Sequence, residues 1–483
     1  MTTRLRSQKG VLFNLSILSV GQIVSQLANM AALVYLAGYL GAHWFGVIQV
    51  GVAFMSYALI TAEWGMMSLG IREISRLDDP RQIFTYATRQ TGLLAVQAVL
   101  VLAVGWVVLP RLPFYEHAPW VFLLYLATVI PQVYTQNWVA VGLERMTWVG
   151  ASRIVRSVIY FLLVVGVLRR LDGTFGQPAA HWVPVFLIVA MVLSNLVVNI
   201  PLAQWFGRFV HPRLPSWPEA RRRWQETGSI GTNIIVLRVL FNIDIVLLGI
   251  LAAPEVAGNY AAASRIMFLL VVAVEVLWAA LLPRLSRLAV ESPGNFLRSF
   301  NLYFGFVAAF LVPTALGGLL LGTDFVTFLY KGKFPDAGPV FQVLAVSYSM
   351  LALATFLGNT LLAEDRQKWY FLPLVASSLV AVAGVVLLVP DRLGLGASWA
   401  MTAAHGSLLL ILVIINFRKF NADLGRVLFS LVPALTALIG VALVLSAQHV
   451  LLRVAASGAT YLILAVWPLK HFRNRIQSPT ARQ

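Results

Sequence analysis

The chain has 483 residues, 59% of them apolar and only 11% charged, with a mean hydropathy of +0.81. That excludes a soluble globule, in which charged residues run near roughly 25%. The absence of cysteine excludes disulfides, thiolate metal sites and cysteine nucleophiles. The net charge of +17 does not point to nucleic acid, because the basic residues lie between the apolar runs.

Apolar runs of roughly 20 residues are long enough to cross a bilayer as helices. They lack the alternation of a barrel strand, and backbone groups in lipid need internal partners, so helices are predicted. In chain order the spans are 11–37, 44–70, 87–110, 118–141, 150–168, 182–206, 228–252, 257–282, 298–321, 339–362, 369–389, 394–416, 427–446 and 449–469. The start, with Arg4, Arg6 and Lys9, superficially resembles a signal peptide. Its apolar run continues to about Leu40, too long for such a segment, and reads as a retained first helix. The predicted fold class is an all-α integral membrane protein of about fourteen transmembrane helices.

Assigning alternate loops to opposite sides places 26 of the 36 Lys and Arg residues on one side and 7 on the other, with Arg156, Arg238 and Arg265 inside spans. The positive-inside rule then sets both termini in the cytoplasm. The loops on the other side are short, which argues against a large external catalytic domain.

An internal repeat is visible. Shifted by 212 residues, Gly46 falls on Gly258, Glu63 on Glu275, Arg72 on Arg284 and Phe84 on Phe296. Further on, the shift drifts to about 221, so that Asn137 meets Asn359, Arg145 meets Arg366 and Trp148 meets Trp369. Each half holds six spans, an even number, so the halves are parallel repeats. The predicted organisation is a first lobe over 1–206, a cytoplasmic basic linker over 207–226, a second lobe over 227–417, and two further helices with a cytoplasmic tail over 418–483. Parallel repeats about an axis along the membrane normal are a transporter design, with the substrate site expected between the halves.

Certain segments also resemble a known family. Leu40-Gly41-Ala42-His43-Trp44-Phe45-Gly46, followed by a long span and Gly70-Ile71-Arg72-Glu73-Ile74, looks like the second helix of polysaccharide (O-antigen-type) flippases. Its repeat partner, Ala257-Gly258-Asn259-Tyr260 through Ser264-Arg265 to Leu282-Pro283-Arg284, resembles the eighth helix of that family and of the lipid II flippases. Phe334-Pro335-Asp336-Ala337-Gly338-Pro339, with Gly358-Asn359-Thr360 and Asp365-Arg366-Gln367-Lys368, looks like its tenth. The resemblance covers essentially the whole chain and extends to the superfamily that includes multidrug and toxin extrusion transporters.

Charges inside spans are costly and call for a reason, each about 2.5–3.5 kcal/mol on insertion scales. The seventh and eighth helices form a hairpin turning near Pro254–Val256. Equal depth then pairs Arg238 with Glu275 and Asp244 with Arg265. Two readings stay open: these pairs lock the hairpin, or they line a polar cavity and meet the substrate. By its Ser-Arg-Ile placement, Arg265 matches an arginine of the lipid II flippases held to meet pyrophosphate. In the first half Glu63 repeats Glu275, but Gln26 stands where Arg238 would be, so Glu63 has no obvious cation. It reads as a coupling or gating residue, or as a glutamate bonded to Gln26. Arg153 and Arg156, one turn apart at the start of the fifth span, suit a lipid diphosphate or the headgroup region. His405 lies mid-span, either titrating or simply hydrogen-bonded.

The resemblance implies a transporter, not an enzyme: a flippase moving undecaprenyl-diphosphate-linked oligosaccharide repeat units from inner to outer leaflet by alternating access, for O-antigen, capsule or exopolysaccharide synthesis. The lipid tail would stay in the bilayer beside helices thirteen and fourteen. Expected partners are the lipid-linked oligosaccharide, membrane lipids, a polysaccharide polymerase and a chain-length regulator, in a prokaryotic cell (inner) membrane. No cofactor or metal is expected, and without a phosphate-cradling Gly-Lys-Ser/Thr loop direct ATP hydrolysis is not expected either. A cation-coupled multidrug antiporter of the same fold is the alternative. A membrane polysaccharide polymerase or ligase is the alternative of another class, disfavoured by the short outer loops.

Overall fold

The structure is a computed structural model that describes residues 8–173, 178–366, 368–420, 432–445 and 449–477. Arg4, Arg6, Arg426, Arg482 and the start of the thirteenth predicted span lie outside them. Among the described residues all regular structure is helical. The long helices are α1 (Gln8–Glu63), α3 (Pro80–Val108), α7 (Met146–Gly166), α9 (Trp182–Phe206), α10 (Trp217–Leu251), α11 (Pro254–Glu291), α12 (Pro293–Tyr330), α13 (Ala337–Ala363) and α14 (Lys368–Asn416). Shorter pieces are α2 (Met66–Ile74), α4 (Pro119–Ala127), α5 (Val129–Val133), α6 (Asn137–Gly142) and α8 (Leu168–Leu171). Two more follow at the end, α15 (Val432–Val444) and α16 (Val450–Gln477).

Eight helices among the described residues are long and apolar enough to span a membrane, or nine counting a bent pair. Two of them, Gly21–Glu63 and Lys368–Lys419, are interrupted by a non-helical residue, Gly41 and Leu393 respectively. Each is long enough for two passes. With the segmented stretch 119–142 and the two last helices, the chain accommodates about fourteen passes and is a multi-pass membrane protein.

The helix ends follow local chemistry. Asp79 caps α3 by accepting from the Arg81 N–H at 2.9 Å, and Pro80 sits at the first helical position, where its missing N–H costs nothing. The internal repeat reappears in backbone detail. Glu144 and Asp365 both take a left-handed conformation, with φ of 59° and 58°. Each is followed by an arginine whose N–H reaches five residues back, Arg145 to the Ala140 carbonyl at 2.8 Å and Arg366 to that of Leu361 at 2.7 Å. Each arginine then covers a tryptophan ring, Arg145 over Trp148 at 5.5 Å and Arg366 over Trp369 at 5.4 Å.

The chain divides into two compact units, 1–239 and 240–483. The division falls inside α10, later than the 206 and 227 borders expected from the repeat. The linker and the first part of α10 pack onto the first unit, which explains the shift. The Arg213 N–H donates to the Thr88 carbonyl at 3.0 Å, Arg72 contacts Glu226 at 3.3 Å, and Arg89 contacts Glu219 at 3.1 Å. Half of the expected linker is therefore helix, from Trp217 onward. Beyond Val236, α10 bends by 52°.

Candidate functional site

Each unit holds a polar cluster at membrane depth. In the first unit, α1 stops at Glu63, and Trp64 and Gly65 take left-handed conformations before α2 resumes. Gly65 is required there: its φ is 75°, and a Cβ would come within 2.9 Å of Ile230 on α10. The fourth span is broken too, into α4, α5 and α6. These breaks bring Gln132 of α5 to Glu63, whose carboxylate accepts a hydrogen bond from the Gln132 amide. Beyond it, Gln136 donates to Thr91 at 3.1 Å, and Thr135 donates to Asn195 at 3.0 Å. Asn195 in turn donates to the Pro131 carbonyl at 2.8 Å, taking up a backbone group that the broken helix leaves over.

Two sequence expectations for Glu63 are corrected. Its hydrogen-bond partner is Gln132 instead of Gln26, because the break in the fourth span delivers an amide that depth counting between two straight helices cannot supply. Nor does it lack a cation: the charge of Arg238 acts on it. Arg238 sits just past the bend of α10, where its carbonyl accepts from the Tyr57 hydroxyl at 3.2 Å. The expected partner of Arg238, Glu275, belongs to the other unit. Within that unit Glu275 acts electrostatically on Tyr370. The repeat partners therefore differ locally, Glu63 at a helix break and Glu275 in the uninterrupted α11.

Arg153 donates to Gln22 at 3.1 Å, joining α7 to α1, and Arg156 lies on the next turn, within its repulsive field. The two helices approach closely here, where Gly21 meets Gly150.

In the second unit the cluster centres on Asp244, only 1% exposed. It accepts from the Tyr260 hydroxyl at 2.6 Å and lies within electrostatic reach of Arg265. Arg265 and Asp244 both act on Tyr348, whose hydroxyl lies near Ser264. Beside it His405 is wholly buried, with Nδ1 2.8 Å from the Ser347 hydroxyl and its ring edge-on to Tyr348 at 5.6 Å. Tyr260, Ser264, Ser347 and Tyr348 were missed from sequence; the tyrosines and serines of an apolar span carry no mark that separates a buried bonding partner from a packing residue.

The same unit carries an apolar groove of about 510 Å³ between α12, α15 and α16, lined among others by Phe306, Pro313, Gly317, Leu438, Gly458 and Tyr461. The Tyr461 hydroxyl donates to the Ala309 carbonyl at 2.6 Å and seats α16 against α12. Among the described residues there is no cluster of acidic and histidine side chains fit to hold a metal.

The sequence matches the family of polysaccharide biosynthesis proteins over residues 11–289. Among curated proteins none matches. Of solved structures, the chain is similar to an inward closed conformation of the lipid II flippase MurJ, with a TM-score of 0.77 at 11% identity, covering 95% of this chain and 99% of that one. It is also similar to an inward-facing multidrug resistance MATE transporter of the MOP superfamily, with a TM-score of 0.63 at 14% identity over 83% and 96%. A third likeness is to a MOP superfamily transporter from Pyrococcus furiosus described as having a binding pocket of reversed polarity. There the TM-score is 0.53 at 15% identity over 85% and 94%. At these identities the likeness establishes the fold.

Proposed function

The chain belongs to the polysaccharide biosynthesis protein family, and from that premise we propose that it is a flippase, moving an undecaprenyl-diphosphate-linked oligosaccharide from the inner to the outer leaflet by alternating access. The observation that carries the reading is the apolar groove beside α15 and α16, about 510 Å³ in volume, in a chain whose apolar spans also carry the half-buried Arg238 and Arg265. A substrate with a long hydrocarbon tail and an anionic head suits that combination. A cationic drug suits the arginines poorly.

In this reading Arg238 and Arg265 hold the diphosphate in turn, and Arg153 with Arg156 receives it from the inner leaflet, as guanidinium forks match phosphate oxygens. Glu63 is the coupling residue, held by Gln132 and answering to the charge of Arg238. Asp244, Glu275 and His405 set the field around the second cluster, and Gln26 lines the first span. In this reading the protein sits in a prokaryotic inner membrane, and the excess of arginine in alternate loops supports cytoplasmic termini. A polymerase and a chain-length regulator would act on the product at the outer face.

The test is translocation of a fluorescent undecaprenyl-diphosphate oligosaccharide in proteoliposomes by the intact protein and by Arg265→Ala. The reading expects movement that falls in the variant. No movement by intact protein, with export of a cationic dye from the same vesicles, would transfer the assignment to drug antiport.

A further inference from the structure

At the mouth of the apolar groove, Arg453 near the start of α16 donates to the Asp324 carboxylate near the end of α12. The two are 129 residues apart in the chain. The Arg453 side chain is only 11% exposed, whereas that of Asp324 is 50% exposed. One guanidinium N–H meets one carboxylate oxygen. The Arg453 Nε is buried with no hydrogen-bond partner among the described residues. One turn further along α16, the buried Ser457 hydroxyl also has none. Residues separated by four positions share a helix face, and Ser457 lines the groove, as do Val454 and Phe325, the neighbours of Arg453 and Asp324. Buried polar atoms are seldom left unpaired, and each such case asks for a missing partner.

The groove has the dimensions of a chain path. From Phe306 to Phe325, both on its wall, α12 rises roughly 28 Å, close to the hydrocarbon thickness of about 30 Å. Gly317 and Gly458 open it further: a Cβ at either would meet nothing within 4 Å. An apolar channel of bilayer length, with a half-satisfied arginine at one end, has the form of a lipid site whose head is an anion.

We infer that Arg453, Asp324 and Ser457 form a phosphate-binding site for the isoprenoid carrier lipid at the outer end of this groove, with Asp324 occupying the arginine until the phosphate arrives. The inference rests on the flippase reading for the chemistry of the lipid and for which end is outer. Phosphate oxygens would take the Arg453 Nε–H and the Ser457 O–H, at the end of a chain lying in the groove. Asp324, half exposed, can swing out to water at little cost. Because the carboxylate competes with the phosphate, it sets how readily the lipid leaves.

The experiment measures lipid binding to purified full-length protein in nanodiscs, with undecaprenyl phosphate, undecaprenol and phosphatidylglycerol as probes. Intact protein is expected to prefer the phosphate to the alcohol by about tenfold, the worth of a charge-assisted hydrogen bond. Arg453→Gln should abolish that preference while still binding the alcohol. Asp324→Asn should strengthen phosphate binding, and Gly458→Phe should weaken both isoprenoids. The exchange of Asp324→Arg with Arg453→Asp keeps a pair between the helices, so its loss of preference is not a loss of folding. A preference unchanged in Arg453→Gln and in the exchange, or weakened by Asp324→Asn, overturns the site. Equal Arg453-dependent affinity for phosphatidylglycerol overturns the isoprenoid as its occupant. Protein that moves no lipid-linked oligosaccharide but keeps an Arg453-dependent preference sinks the transport reading and leaves the site standing.

Discussion

Glu63 accepts a hydrogen bond from Gln132 at a point where the helices of both residues are interrupted. Breaks at membrane depth persist only where protein satisfies the freed backbone groups. Here they place a carboxylate beside an amide and within the field of a cation. Glu63→Gln should preserve packing and leave the melting temperature nearly unchanged, since an amide fills the same volume. It should abolish any stimulation of translocation by an imposed proton gradient, measured in proteoliposomes with and without the gradient. Full stimulation in Glu63→Gln would remove Glu63 from coupling.

The broken fourth span depends on asparagines of α9. Asn195 is buried and donates to the Pro131 carbonyl, and Asn199 donates to that of Tyr134 at 3.0 Å. Replacing Asn195 by Leu leaves Pro131 and Thr135 without their amide and should cost about 1–3 kcal/mol. Asn199→Leu, at a half-buried position, should cost less, because it removes one hydrogen bond where Asn195→Leu removes two. Thermal unfolding of the two variants in one detergent checks the order.

The linker helix offers a sharper contrast between neighbours. Arg223, with its side chain 4% exposed, contacts Glu219 at 2.6 Å, donates to Gln90 at 2.5 Å and lies over the Tyr86 ring at 4.2 Å. Arg222, at 71% exposed, reaches Glu226 at 3.7 Å. Arg223→Met removes the cation from a buried network and should destabilise by about 3–5 kcal/mol. Arg222→Met should stay within about 0.5 kcal/mol. Denaturation of both variants, with limited proteolysis of the linker, reads the difference. Equal effects would mean that the linker is not held through Arg223.

How far the sequence foretold this follows from how local each feature is. The spans and the repeat were legible because hydrophobicity and the Arg145–Trp148 and Arg366–Trp369 spacings are properties of contiguous residues. Depth counting set Asp244 opposite Arg265 across the turn near Pro254, and the charge of Arg265 does act on Asp244. The same arithmetic misled for Glu63. It assumes unbroken helices, and neither the stop after Glu63 nor the division of 119–142 into short pieces follows from the composition of those segments. The bend of α10 just before Arg238 was likewise hidden. Asp324 and Arg453 were out of reach for another reason: each is an ordinary charge near a span end, and only packing of α16 against α12 joins them.

Asp244 and Arg265 allow the two readings of an intramembrane pair to be separated. A carboxylate that is only 1% exposed and held by Tyr260 is costly without a cation nearby. Arg265→Ala alone should therefore destabilise the protein by about 3–5 kcal/mol, the cost of stranding a buried charge. Asp244→Asn keeps an acceptor for the Tyr260 hydroxyl and removes the charge, so the double variant should recover about 1–3 kcal/mol of that loss. Thermal unfolding of the four proteins gives this coupling, and translocation by the same four gives the functional one. If the double variant regains both stability and transport, the pair only locks the hairpin. If it regains stability and still moves no substrate, Arg265 touches the diphosphate, because removing its partner has repaired the fold without restoring the cation.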